Sequence, residues 1–127
     1  FRTDDSSDST NGRSWCALEY QDNWKGAAIP YAVMNQSYDS DLALEKAMYC
    51  GLELEVHNPA NDRVVTVWVV DAFDQSWVHT NASLDLTVSA FQELNGTFNG
   101  DKDAVIKNMT WVFTGWLVLT WVVSTFR

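Results

Sequence analysis

The sequence predicts one mostly β domain with short helices, and three observations lead there. Leu52, Leu54 and Val56 alternate with Glu53 and Glu55, the period of a strand with one buried and one wet face. Val64 to Val70 is almost wholly apolar and rich in β-branched residues, as expected of a strand covered on both sides. Turn chemistry separates these runs: Asn58-Pro59-Ala60-Asn61-Asp62, Asn95-Gly96 and Asn99-Gly100-Asp101. At 127 residues the chain is long enough for one real core, and no repeat or linker divides it.

Residues 1–14 hold Asp, Ser, Thr, Asn, Gly and Arg with a single Phe, too little apolar surface to offset ordering, and read as a flexible arm before a domain spanning 15–127. Ile29, Tyr31 and Val33 alternate through Ala27 to Met34, a strand signal that contains Pro30. Asp39, Ser40 and Asp41 supply capping oxygens for a helix over Leu42 to Met48, which closes near Cys50-Gly51. The apolar strand ends on Asp71, and a loop over 72–83 follows with Phe73, Trp77 and His79 in it. Thr87 stands where a cap belongs for a helix whose Ala90, Phe91 and Leu94 share a face. Ala104 to Lys107 and Met109 to Phe113 read as the next strand region, and Leu117 to Phe126 as a last strand. Trp68, Trp111 and Trp121 are expected in the core, and Trp77, in a polar loop, on the surface.

Eight basic against seventeen acidic residues leave a net charge of −9, a field that repels phosphate backbones and anionic lipid heads. Nucleic acid and membrane are therefore not expected partners. The apolar run from Trp111 to Phe126 is interrupted by Thr114, Gly115 and Thr120 and falls short of the roughly 20 residues a spanning helix needs. Four glycosylation triplets begin at Asn35, Asn81, Asn95 and Asn108, which together favour the secretory pathway, with any signal peptide already removed. Cys16 and Cys50 are too far apart for a redox or zinc pair; their spacing suits either one bridge or two buried thiols. Neither His57 nor His79 has a cysteine or second histidine beside it, so no metal and no cofactor is expected.

Two aspartates carry the candidate chemistry. Asp71 stands where a buried strand gives way to a loop, half in water and half in low dielectric. Asp85 lies between Leu84 and Leu86 just before a helix, where apolar neighbours raise a carboxyl pKa and the helix N-terminus lowers it. Either could equally be a carboxylate that accepts backbone N–H groups in a turn.

The run Cys50-Gly51, strand, Asn58-Pro59, strand ending Val69-Val70-Asp71, loop, then Leu84-Asp85-Leu86-Thr87 and Ala90-Phe91 resembles the double-psi β-barrel family. That family includes rare lipoprotein A-like proteins, barwin, loosenins, the first domain of expansins and family 45 glycoside hydrolases. The resemblance implies a six-stranded double-psi barrel, with Asp71 and Asp85 lining one polysaccharide groove as its catalytic pair. It also implies that Cys16 and Cys50 are bridged. Asp85 matches the carboxyl that expansins need for wall loosening, and Phe73 stands where bacterial expansins have a tyrosine. Tyr20, Trp24, Phe73 and Trp77 fall in segments expected near the groove, where aromatic faces stack on sugar rings.

The chain departs from the family in the loop after Asp71, where Ala72-Phe73-Asp74-Gln75 replaces Cys-Pro-Gly-Cys, and at its start, where Glu19 is the sole acid near the position of a hydrolytic base. An inverting glycosidase needs both an acid and a base. The expectation is thus a secreted, glycosylated protein that binds or loosens cell-wall polysaccharide without hydrolysing it. A protein-binding effector or inhibitor on the same barrel, and a slow family 45-type hydrolase, are the alternatives.

Overall fold

The computed structural model describes residues 13–35, 41–101 and 103–114 and, within them, every side chain but that of Trp77. Most of the 1–14 arm, the strand expected over Leu117 to Phe126, and Trp121 lie outside the described residues. The elements are β1 (Gly26–Pro30), α1 (Tyr31–Asn35), α2 (Leu42–Tyr49), β2 (Glu53–Asn58), β3 (Arg63–Phe73), a 3₁₀ turn (Gln75–Trp77), β4 (Asp85–Leu86), α3 (Val88–Asn95) and β5 (Thr110–Phe113). The five strands form one mixed sheet in the order β4-β1-β3-β2-β5, with β1 parallel to β3 and the other pairings antiparallel. Among the described residues this is an open, five-stranded sheet with three short helices; the implied six strands and barrel closure go beyond it.

Asp41 caps α2 through Oδ1, which accepts from Leu44 N at 3.2 Å, and Gly96 ends α3 in the left-handed conformation at φ 94°. Ala90, Phe91 and Leu94 are buried on one face of α3, as their spacing predicts. They meet Leu54, Val56, Val65, Val67 and Val69, the inward residues of β2 and β3. The Cys16–Cys50 disulfide is formed and ties the N-terminal segment to the end of α2.

Four local expectations are corrected. The strand expected through Met34 ends at Pro30, and Tyr31–Asn35 is helical. A proline's fixed φ suits the entry to a helix, and Ile29 and Val33 share a helical spacing as well as a strand spacing. Val64 to Val70 is not covered on both sides: Val64 and Trp68 point outward at 48% and 42% exposure, so Trp68 is not a core residue. Outward apolar residues hid the alternation. Ala104 to Lys107 is not a strand but coil, and the strand begins at Thr110. Trp111 is only half-buried; it packs on the core and donates Nε1–H to Ala82 O at 2.7 Å.

Candidate functional site

One irregularity in the sheet builds the site. On β1, Ala27 pairs with Val69 of β3, but the next residue, Ala28, pairs with Asp71, leaving Val70 as an extra residue on β3. Such a bulge re-aims the side chains that follow it. Without it Ala28 would face Val70, and Asp71 would share the core side with Val69. On its other edge Ala28 pairs with Asp85 of β4. Asp71 and Asp85 therefore flank one small residue at the same level of the sheet, with their Cα atoms two strand spacings apart, roughly 9–10 Å.

Gly26 makes the bulge possible. A Cβ there would lie 2.7 Å from Val70 Cγ2, closer than such atoms approach, and 3.0 Å from Thr87 Cγ2, a tight contact. Thr87 holds the neighbouring strands together. Its Oγ1 accepts from Gly26 N at 3.1 Å and donates to Trp24 O at 2.6 Å, so the hydroxyl expected to cap α3 makes no cap bond and is spent on β1.

The two carboxyl groups differ in kind. Asp71 Oδ1 accepts from Trp15 N and Ala72 N, both at 2.8 Å, and Oδ2 accepts from Tyr20 Oη at 3.1 Å. It anchors the segment on both sides of Cys16 to β3. Burial is the main cause that pushes the Asp85 carboxyl above its ordinary value of 3.8, and it outweighs the influences that lower it.

Both aspartates line an open groove of about 720 Å³, together with Tyr20, Phe73, His79 and Ala28. Asp71, Asp85, Tyr20 and Phe73 thus come together. Trp24 is half-exposed and is not among the groove's lining residues; the Trp77 backbone closes the 3₁₀ turn. Glu19 is exposed beside Arg13, 3.6 Å away, and does not line the groove. His57 pairs with Asp62 at 2.8 Å on β2, apart from it. Among the described residues no group of three His, Cys, Asp or Glu could hold a metal ion, and no helix is long and apolar enough to cross a membrane.

Sequence reasoning missed two acids and a wall. Asp74 and Asp103 also line the groove, and Ala104, Val105 and Ile106 form part of it as coil. Asp74 caps the 3₁₀ turn, and the Ser76 backbone N–H, then its hydroxyl, hold its carboxyl below the usual value. Asp101, whose Oδ1 accepts from Asp103 N at 2.9 Å, marks a turn there rather than a strand. Of the glycosylation triplets, Asn81, Asn95 and Asn108 are exposed, whereas Asn35 is half-buried with its Oδ1 enclosed. No protein-family model matches the chain, and no curated protein matches it.

Proposed function

We propose that this chain is a secreted double-psi barrel protein that binds cell-wall polysaccharide in the groove over Ala28 and loosens it without hydrolysis. The observation that carries this reading is the flanking of Ala28 by Asp71 and Asp85 in one open groove with an aromatic wall at Phe73. A polymer needs a groove open along its length, and aromatic faces and carboxyl groups are what bind the apolar and hydroxyl faces of a sugar. Asp85 is the carboxyl that donates to or accepts from a sugar oxygen. Asp71 positions, because both its oxygens already accept from the protein.

Hydrolysis would need a base to activate water. Glu19 does not line the groove, Asp71 is held by Trp15, Ala72 and Tyr20, and Asp74 by Ser76, so Asp103 is the lining acid whose service as a base the sugar-release assay tests. The disulfide fits an oxidising, extracellular setting.

Binding to insoluble cellulose, chitin, xylan and glucan, with reducing sugars assayed in the supernatant, tests the proposal. Retention on at least one polymer, lost about tenfold in Asp85→Asn, with no sugar release, is expected. Sugar release abolished by that variant would replace loosening with hydrolysis. A protein-binding role is the second reading, favoured by the outward face of β2, β3 and β5, where Val64, Trp68 and Val112 are exposed together. Retention on no polymer, with a host protein captured through a surface that Trp68→Lys destroys, would favour it.

A further inference from the structure

We propose that one wall of the groove carries N-linked glycans at Asn81 and Asn108, and that these fence the site, admitting single separated polysaccharide chains and holding off the flat face of a crystalline polymer. The inference rests on the polysaccharide reading and names the physical form of substrate that the same site takes.

Both glycosylation triplets are built into the wall. Asn81-Ala82-Ser83 lies between His79 and Leu84, and His79, Ser83 and Leu84 line the groove. Asn108-Met109-Thr110 follows Ala104, Val105 and Ile106, and Met109 lines the groove with those three. Trp111 ties the two stretches together, because its Nε1–H donates to Ala82 O at 2.7 Å. The two asparagines therefore stand on neighbouring stretches of one wall.

Neither asparagine lines the groove, and both are exposed. Asn81 is at the corner of a turn in which Ser83 N donates to Thr80 O at 2.9 Å and Thr80 N to Ser83 Oγ at 3.1 Å. Asn108 takes the left-handed conformation at φ 61°, which asparagine enters more readily than most residues, and it turns the coil into β5. Turn corners on the surface are places where a bulky, hydrated sugar can be attached without disturbing the core. Asn95 is the contrast. It is also exposed, but it ends α3 beside the β2–β3 turn, where Asn61 Nδ2 donates to its carbonyl at 3.3 Å, and no residue from 92 to 99 lines the groove.

The consequence is steric. A chain free of its neighbours can enter the groove from its open side and reach Asp85 beside Ala28. A crystalline polymer presents a plane of chains packed side by side, and that plane must come down onto the rim before any of its sugars reaches the floor. Two hydrated glycans along one wall keep the rim and the plane apart.

The full chain, secreted from yeast, is tested on one polymer in its swollen and its microcrystalline form, with peptide mass spectrometry reading which asparagines are modified. Asn81 and Asn108 should both be modified, and the parent should prefer the swollen form. Asn81→Gln/Asn108→Gln should raise retention on the crystalline form at least about threefold while its calorimetric affinity for a soluble hexamer of the same sugar stays within about twofold. Asn95→Gln should leave both unchanged. If the double variant is not secreted folded, the native Asn95→Gln protein trimmed by an endoglycosidase is read in the same way.

An unmodified Asn81 or Asn108, or crystalline retention equal to that of the parent, overturns the inference and leaves the polysaccharide reading standing. The same gain in Asn95→Gln overturns it in favour of a general effect of surface glycans. Failure of every form to be retained on any swollen polymer overturns both.

Discussion

Replacing Asp71 and Asp85 by asparagine should move stability in opposite directions, although the sequence presents them as equivalent. In Asp71→Asn the remaining carbonyl oxygen still faces Trp15 N and Ala72 N, both of which bond Oδ1, but without the charge. The new amide turns a donor toward Tyr20, whose hydroxyl must reverse its role. Weakening charge-assisted bonds to neutral ones, in a half-buried place, costs about 1–3 kcal/mol. For 127 residues the unfolding entropy is on the order of 270 cal/mol/K, so Tm should fall by roughly 4–11 °C.

Asp85→Asn removes a charge that burial penalises, so it should raise Tm at pH 7. The sign follows from linkage. A folded carboxyl pKa above the unfolded value means that the native state holds its proton longer, so the parent loses stability as pH rises from the unfolded value through the folded one. The gain in Asp85→Asn should therefore be present at pH 7 and vanish below about 3.8, the ordinary value. Differential scanning calorimetry from pH 3 to 7 reads both variants. An Asp71→Asn protein as stable as the parent, or a destabilised Asp85→Asn at pH 7, would refute the division into an anchor and a site carboxyl.

Gly26→Ala should cost about 1–3 kcal/mol, since its Cβ collides with Val70 and Thr87, and should also lose polymer retention because the bulge that places Asp71 shifts; unchanged urea unfolding would contradict it. Cys16→Ser/Cys50→Ser opens a loop of separation 34, worth roughly 3.5–4 kcal/mol in the chain-entropy model, and a calorimetric Tm within a few degrees of the parent would refute that weight. Glu45 is wholly buried and, among the described residues, neither of its side-chain oxygens has a hydrogen-bond partner, so Glu45→Met should stabilise by about 1–3 kcal/mol; a lower midpoint in urea would show that the carboxyl serves the fold.

What could be read in the sequence was what neighbours in the chain decide. The cap at Asp41, the buried face Ala90-Phe91-Leu94 and the stop at Gly96 all depend on spacings within one turn or two. The alternation of Leu54 and Val56 is likewise local, and it oriented β2 correctly. Trp68 reads as a core residue because outward residues of β3 are apolar too, and only the neighbouring strands say which face is covered. The acids were located, but not their difference: Asp71 gains its donors from residues 51 and 56 positions away. Asp103 enters the groove through a coil whose composition imitates a strand.

The extra residue at Val70 leaves β3 one step ahead of β1. Before it Val65, Val67 and Val69 point inward, and after it Ala72 packs on the core, so Asp71, Ala72 and Phe73 travel as a set. Ironing out the bulge without changing the count would carry all three to the other side of the sheet, silencing the groove in a chain that still folds. Removing Val70 would do the reverse: the two strands would fall into step with Asp71 still opposite Ala28, and position 26 would be left with Thr87 as its one close neighbour among those now crowding it. Glycine at 26 and the surplus residue at 70 are thus coupled, and the tightest contact that forbids a side chain at 26 exists only while the bulge does.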